Sequence, residues 1–235
     1  MTYLTSGATA VSDQTDATID SPSITVSGSN KVLYVFVGDS AGTPLDPSGV
    51  VWDPTGVNET LTKLDTQDFG TVANCSIWRK IAPSDATAVV RVTWAANKDE
   101  QGIIAWVETG LDQTTPNGTI AKATGAGTTT VSAGAVTTTN GQRLLQFGQF
   151  LDTSPNARTY DSPTGTERHD LAMTPSNYDG IAAQEQTASG SSTTPTWTMS
   201  SAADGWGSFA FALNEASTQS QAPRSMHQFR MRTAA

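Results

Sequence analysis

The chain has little of the chemistry that builds disulfides and metal sites. Cys75 is the only cysteine among 235 residues, and His169 and His227 are the only histidines. A lone cysteine cannot form an internal disulfide. One cysteine and two histidines far apart in sequence do not supply the ligands of a zinc site. A chain of this length buries enough surface to fold without such crosslinks.

Charged residues and long apolar runs are also scarce. Only 15% of the residues are charged, and no apolar run approaches the roughly 18 residues that a membrane-spanning helix needs. Residues 1–14 have neither a basic start nor an apolar stretch, so they do not read as a Sec signal peptide. We therefore expect synthesis in a cytoplasm and no membrane partner.

The charges that are present are separated along the chain. All 22 acidic residues and ten of the 13 basic residues lie in 1–215, which gives this body a net charge of −12. Arg224, Arg230 and Arg232 follow it, so residues 216–235 carry +3. An acidic body argues against nucleic acid as a partner, because phosphate binding needs a basic surface.

One stretch of the chain occurs twice in similar form. Residues 90–102 read VRVTWAANKDEQG and residues 195–207 read PTWTMSSAADGWG, aligned without a gap at a spacing of 105 residues. Each copy then runs into an apolar strand. A repeat of this size predicts two similar β-rich halves, at about 21–112 and 128–215.

Short strands at even spacing dominate the rest of the pattern. The abundant Thr and Val favour strands, the many Gly, Asn, Asp and Ser residues favour turns, and no segment has a helical period. Residues 31–37 (KVLYVFV) are apolar on both faces, as in a central strand that is covered on both sides. The sequence therefore predicts an all-β fold, a jelly-roll-like β-sandwich built from two similar halves.

The predicted organisation has three parts. Residues 1–20 form an N-terminal arm or edge strand, 21–215 form the sandwich, and 216–235 form a basic C-terminal arm. One merged domain is favoured, because each half alone would leave a sheet face and its edges open. Two tandem sandwiches, divided between Asp112 and Gly127, are the alternative.

The residues around Ser40 match a serine-hydrolase motif, but the sequence does not predict the structural elements that this motif needs. Residues 38–42 read GDSAG, which fits G-x-S-x-G around Ser40. Such a serine needs a strand–turn–helix elbow and a histidine base. The following TPLDP does not begin a helix, and neither His169 nor His227 is placed as a partner. A hydrolase that uses Ser40 is thus the third hypothesis for function, behind two non-enzymatic ones.

No other catalytic, metal or cofactor pattern stands out. Acidic residues are scattered singly through turns rather than paired as in a glycosidase. A calcium site is an open alternative, although the aspartates do not have the D-x-D-x-D-G spacing of a calcium-binding loop. The sequence contains no phosphate loop or dinucleotide fingerprint. We expect no enzyme activity, no metal and no cofactor. The aspartates weighed for calcium are Asp39, Asp46, Asp53, Asp65 and Asp68.

Five of the six tryptophans divide into two groups. Trp94, Trp106 and Trp197 lie in strand-like segments and are expected in the core. Trp52 and Trp206 lie in loop-like contexts, so they are the candidates for a ligand-binding or assembly contact.

Several segments together resemble a known class of protein. KVLYVFVG is followed by a Trp-containing loop, a WRKIAP strand and turn, an LDQTTP joint and a final WGSFAFALNEA segment. Over about residues 20–215 the chain resembles the β-sandwich virion structural proteins of tailed bacteriophages and prophages. The resemblance implies a structural module at the head surface or in the tail, and it carries no catalytic residue.

The expected function is therefore a non-enzymatic structural protein of a tailed phage virion, assembled in the bacterial host cytoplasm. A capsid decoration protein, anchored through its terminal arms to other virion proteins such as the major capsid protein or tail proteins, is favoured. A homo-oligomer is expected from virion geometry. The alternative is a tail or fibre component that binds a host surface glycan through Trp52 and Trp206. The residues expected to make the arm contacts are Arg224, Met226, Phe229, Arg230, Met231 and Arg232.

Overall fold

The computed structural model describes residues 2–11, 16–40, 43–98, 100–152, 160–173 and 179–217, with only the backbone described at Ala10 and Val11. These residues form strands and connections without a helix, which confirms the all-β prediction. No helix long and apolar enough to cross a membrane occurs among them. The strands are β1 (Thr2–Val11), β2 (Thr18–Asp20), β3 (Ile24–Val26), β4 (Val32–Ser40), β5 (Gly49–Trp52), β6 (Glu59–Thr60), β7 (Thr62–Phe69), β8 (Ala73–Ile81), β9 (Ala86–Ala88), β10 (Val90–Thr93), β11 (Glu100–Thr109), β12 (Ala121–Gly125), β13 (Thr128–Val131), β14 (Val136–Thr137), β15 (Arg143–Leu151), β16 (Tyr160–Asp161), β17 (Thr166–Ala172), β18 (Gly180–Thr187), β19 (Ser192–Thr193), β20 (Trp197–Ala203) and β21 (Gly205–Ala212).

The strands up to β11 form a large and a smaller antiparallel sheet. The five-stranded sheet has the order β1-β11-β4-β8-β7, and the four-stranded sheet has the order β2-β10-β5-β6. A short pair, β3-β9, accompanies them. Residues 2–11, expected as an arm or edge strand, form β1, which pairs with β11 at the edge of the large sheet.

The strands from β12 onward repeat this arrangement. Their five-stranded sheet has the order β12-β21-β15-β18-β17, and the smaller sheet has the order β13-β20-β16, with β14-β19 as the short pair. In the large sheets each strand has a counterpart, β12 for β1 and β21 for β11, whereas β6 of the smaller sheet has none. We call residues 2–109 the first half and 121–212 the second half; the jelly-roll description itself stays a prediction.

Four sheet layers lie on one another, and the central strands explain why. In β4, Leu33, Val35 and Val37 pack toward the four-stranded sheet of the first half. Tyr34 and Phe36 point the other way, into a cluster shared with β15, β18 and β21 of the second half. The strand is apolar on both faces because both faces are covered, as the sequence predicted.

The contacts between the two five-stranded sheets are reciprocal, as across a two-fold axis. Strand β1 contacts β17 while β12 contacts β7, and β11 contacts β18 while β21 contacts β8. Phe36 and Phe147, which occupy corresponding positions in β4 and β15, stack on each other with ring centroids 5.8 Å apart. The halves therefore meet through the same part of each large sheet.

The joint between the halves is held by hydrogen bonds to the end of the last strand. The Asp112 carboxylate accepts from the Thr114 and Thr115 backbone N–H groups, at 2.7 Å each. Asn214 donates from its backbone to Pro116 O and from its side chain to Thr115 O. The LDQTTP segment thus packs against the residues that follow β21.

Candidate functional site

Two facing glycines let the large sheets approach closely at one end. Gly38 in β4 pairs with Gly102 in β11. A Cβ atom at Gly38 would lie 2.4 Å from Gln149 Oε1, and one at Gly102 would lie 2.8 Å from Ile181 Cδ1. The second half thus places Gln149 and Ile181 directly on the glycine pair, where a side chain would separate the sheets.

Ser40 lies beside this glycine pair, fully buried between the halves. Its hydroxyl is within hydrogen-bond distance of carboxyl oxygens of both Glu100 and Asp179. Glu100 stands opposite Ser40 in the ladder of the first half, whereas Asp179 precedes β18 of the second half. The backbone N–H of Asp152 donates to the other Asp179 oxygen at 2.8 Å. We call Ser40, Glu100 and Asp179 the carboxyl cluster.

The cluster gives Ser40 a different setting from a hydrolytic nucleophile. A catalytic serine needs a base and access to substrate, whereas Ser40 is 0% exposed and contacts two acids. His169, the described histidine, hydrogen-bonds Ser6 Oγ through Nε2 at 2.6 Å in the contact between β1 and β17. Burial, with the nearby Arg168 charge, lowers the pKa of His169, and nothing in this geometry favours the hydrolase hypothesis.

Asp39 and Lys98 form an ion pair on the opposite face of the same strand end. Both side chains are almost completely buried, and Lys98 also donates to Thr43 O at 2.6 Å. Burial raises the pKa of Asp39 to about 7, although Lys98 opposes the shift. Burial likewise raises the pKa of Asp179 to about 8, and its contact with Glu100 adds to the shift. Buried acids therefore concentrate at this end of the molecule.

A charged network joins the halves at the far end of the same strands. Arg143 at the start of β15 donates to both oxygens of Glu108 in β11, at 2.7 and 2.8 Å. Glu108 is 0% exposed and also accepts from Trp106 Nε1 at 2.8 Å. Arg143 and Arg168 both contact Glu185, and Arg168 stacks over the Tyr3 ring. This network ties β1 and β11 to β15, β17 and β18.

The prediction that Trp52 and Trp206 lie in loops is wrong. Trp52 ends β5, is 0% exposed and donates to Ser84 O at 3.2 Å. Trp206 lies in β21, is 8% exposed, and donates to Thr128 Oγ1 at 3.0 Å. Their rings fill the interiors of the two halves and present no open face for stacking on a sugar. The core positions predicted for Trp94, Trp106 and Trp197 are confirmed.

The aspartates weighed for calcium are engaged in separate contacts. Asp39 pairs with Lys98, Asp65 with Lys122, and Asp46 with Lys63 and Thr66. Asp53 accepts from Val57 N within its own turn, and Asp68 accepts from Asn74 at 2.7 Å. Across the described ranges, no three His, Cys, Asp or Glu side chains are grouped so as to hold a metal ion.

Two of these aspartates line a surface groove of about 330 Å³. Asp46 and Asp68 form its acidic wall, and Pro44 and Leu45 add apolar surface. We call this the Asp46 groove. It lies between the loop after β4 and the edge strand β7, so it faces outward from the first half.

Sequence reasoning missed the partners of Ser40. Asp179 reads as an ordinary turn residue in NYDG, and its contact with Ser40 spans 139 residues. No local sequence pattern predicts a contact between residues so far apart in the chain. The predicted arm residues lie outside the described residues, namely Arg224, Met226, Phe229, Arg230, Met231 and Arg232.

Comparison of the chain with protein-family models, with curated proteins and with solved structures gives no match.

Proposed function

We propose that the protein is a non-enzymatic structural protein of a tailed phage virion, a capsid decoration protein that holds neighbouring virion proteins through its terminal arms. The observation that carries the proposal is the separation of charge. A body of net charge −12 is followed by a segment of net charge +3 with three arginines. Opposite charges on body and arm favour binding between neighbouring subunits, and they orient the encounter.

The body supports this proposal because its two halves share one core. A cluster of buried side chains from both large sheets holds the halves together, and charged contacts close the interface at its ends. A subunit on a capsid lattice must keep its shape while its arms carry the contact forces. Continuous packing of this kind provides that rigidity.

The edges of the large sheets also suit a crowded lattice. Edge strands β1, β7 and β17 each contain a register shift, at Tyr3/Thr5, Lys63/Asp65 and Glu167/His169. Bulges twist an edge and interrupt its row of hydrogen-bonding groups, which discourages edge-to-edge pairing. Subunits held side by side at high local concentration benefit from edges that do not pair.

The Asp46 groove offers a binding surface for the arm of a neighbouring copy. Its Asp46 and Asp68 carboxylates suit arginine, and Pro44 and Leu45 suit the apolar side chains that alternate with arginine in 229–232. Charge-assisted arginine–carboxylate contacts are strong enough to direct such docking. The glycan alternative relied on Trp52 and Trp206, which are both buried in the cores. No other observation on the described residues favours it.

The test is incorporation into particles. We expect a chain truncated after Ser217 to fold with the stability of the full chain but to be absent from purified particles. Full-length Arg224→Gln/Arg230→Gln/Arg232→Gln, which keeps the length of the arm, should lose most incorporation, and Asp46→Asn/Asp68→Asn should weaken it. Normal incorporation of the truncated chain would refute the arm mechanism. Density for the protein away from the virion, in cryo-electron microscopy, would refute the structural role itself.

A further inference from the structure

The carboxyl cluster needs a proton. A serine hydroxyl has one hydrogen, so it donates to one carboxylate only. Yet Ser40 Oγ lies within hydrogen-bond distance of Glu100 Oε2 and Asp179 Oδ2 at once. With both acids ionised, one carboxylate oxygen would face the Ser40 oxygen without a hydrogen between them. A proton on one of the two acids completes the set, because that acid then donates.

The cluster also crosses from one half to the other. Ser40 and Glu100 belong to neighbouring strands of the first half, and Asp179 belongs to the second half. Asp179 is fixed within its own half by two further bonds, since Asp152 N donates to its carboxylate and Met173 N donates to its backbone oxygen. The acid therefore reaches across the interface from a rigid support.

We propose that Ser40, Glu100 and Asp179 form a proton-dependent latch between the halves, which is closed while one carboxyl is protonated and opens when both are ionised. On opening, the shared proton passes to solvent and two carboxylates repel each other across the interface. Low dielectric at the buried site makes this repulsion strong. The proposal does not depend on the structural role suggested above.

The charged groups around the latch do not replace the proton. Among the described residues, Lys98 lies on the opposite face of the sheet, where it pairs with Asp39. Asp152 follows β15, is 4% exposed, and adds a further acid near Asp179. From β15, the neutral Gln149 faces the glycine pair and donates to Asp39 O. Lys98 is therefore engaged elsewhere, and the neighbouring Glu100 favours protonation of Asp179.

The direction of the pH effect follows from the raised pKa of the buried Asp179 carboxyl. Burial raises the pKa of Asp179 from 3.8 to about 8, with Glu100 as a further cause. A raised pKa in the folded state means that the proton stabilises the fold. This contribution is fully present below pH 4 and is lost as the pH rises through about 8. The latch should thus weaken progressively as the pH rises from about 4 to about 8 and change little above that.

The test follows two backbone N–H groups that report on Asp179. Hydrogen exchange of Asp152 N–H and Met173 N–H, corrected for intrinsic rates, gives the opening equilibrium of the latch from pH 6 to pH 9. We expect the opening constant to rise by up to about tenfold per pH unit from pH 6 to about pH 8, as for the loss of one proton, and to level off above that. The Val92 N–H, in the core of the first half, should stay protected throughout.

Two substitutions separate the latch from general alkaline loosening. Asp179→Asn and Glu100→Gln replace an acid by an amide that carries its own hydrogens, so either should flatten the pH dependence of exchange at Met173 and Asp152. Asp20→Asn, which removes a charge from an exposed pair with Arg91, should leave it unchanged. If the wild-type exchange profile is flat, or if it is parallel to that of whichever amide variant folds, the latch does not exist.

Discussion

At the scale of single residues, glycine decides how close the two large sheets come. Gly38 and Gly102 receive Gln149 and Ile181, and in the reciprocal position Gly207 receives Cys75, whose Sγ would lie 2.8 Å from an added Cβ. None of these glycines has a left-handed φ angle, so the requirement is for space and not for backbone freedom. Side-chain volume at these positions is therefore the quantity to vary.

Gly102→Ala should destabilise the protein by about 1–3 kcal/mol, because the new methyl group overlaps Ile181 inside a packed interface. Denaturant unfolding at pH 7 measures the change. Gly49→Ala is the matched control, since no atom lies within 4 Å of a Cβ there. It should leave stability unchanged or raise it by about 0.4–1 kcal/mol, through the reduced entropy of the unfolded chain.

A second substitution distinguishes overlap from other effects of the alanine. Ile181→Val shortens the side chain that meets Gly102, so Gly102→Ala/Ile181→Val should cost less than the sum of the two single changes. Strict additivity would contradict the proposed contact.

At the scale of elements, β11 and β15 are joined at one end by a buried ion pair. Glu108 is 0% exposed, and burial raises its pKa while Arg143 and Trp106 oppose the rise. Arg143 itself is 19% exposed. The pair therefore matters less for its attraction than for the cost of leaving Glu108 buried without a cation.

Arg143→Met should cost about 3–5 kcal/mol of stability, because Glu108 would remain buried without its cation. Adding Glu108→Gln should restore much of this loss, since the amide can still accept from Trp106. Thermal and denaturant unfolding of Arg143→Met, Glu108→Gln and the double variant gives the coupling energy. Asp20→Asn, in an exposed pair, should cost no more than about 1 kcal/mol. Equal losses for the single and double variants would contradict the assignment.

Prediction from sequence succeeded where a pattern was local. The two apolar faces of 31–37 identified β4 as a central strand, and the strand contexts of Trp94, Trp106 and Trp197 identified core positions. It failed for Trp52 and Trp206, because nearby Pro, Gly and Asp residues suggested loops, yet both residues lie in strands, β5 and β21, and are buried. It could not foresee the Ser40–Asp179 contact, which exists only because two separate sheets stack.

At the scale of the whole molecule, the two large sheets share a core cluster that crosses the boundary between the halves. Phe36, Trp106, Phe147 and Phe211 all belong to the cluster between the two large sheets. Neither half can lose its large sheet without exposing aromatic surface on the other. Cooperative unfolding follows from this arrangement.

We expect one unfolding transition for the whole chain. Calorimetry should give equal calorimetric and van't Hoff enthalpies, and tryptophan fluorescence should coincide with the loss of far-ultraviolet circular dichroism. The tryptophans report on both halves, with Trp52 in the first and Trp197 in the second. Two separated transitions would show that the shared cluster contributes little to stability.

The reciprocal contact between the halves has a consequence for partner choice. Positions that correspond in the two halves carry different side chains: β4 begins with Val32 where β15 begins with Arg143. Two first halves from different chains, meeting through the same faces, would bury Glu108 against valine instead of arginine. An unpaired buried carboxylate penalises that encounter. We expect this penalty to favour pairing of each first half with the second half of its own chain over pairing with a copy of itself.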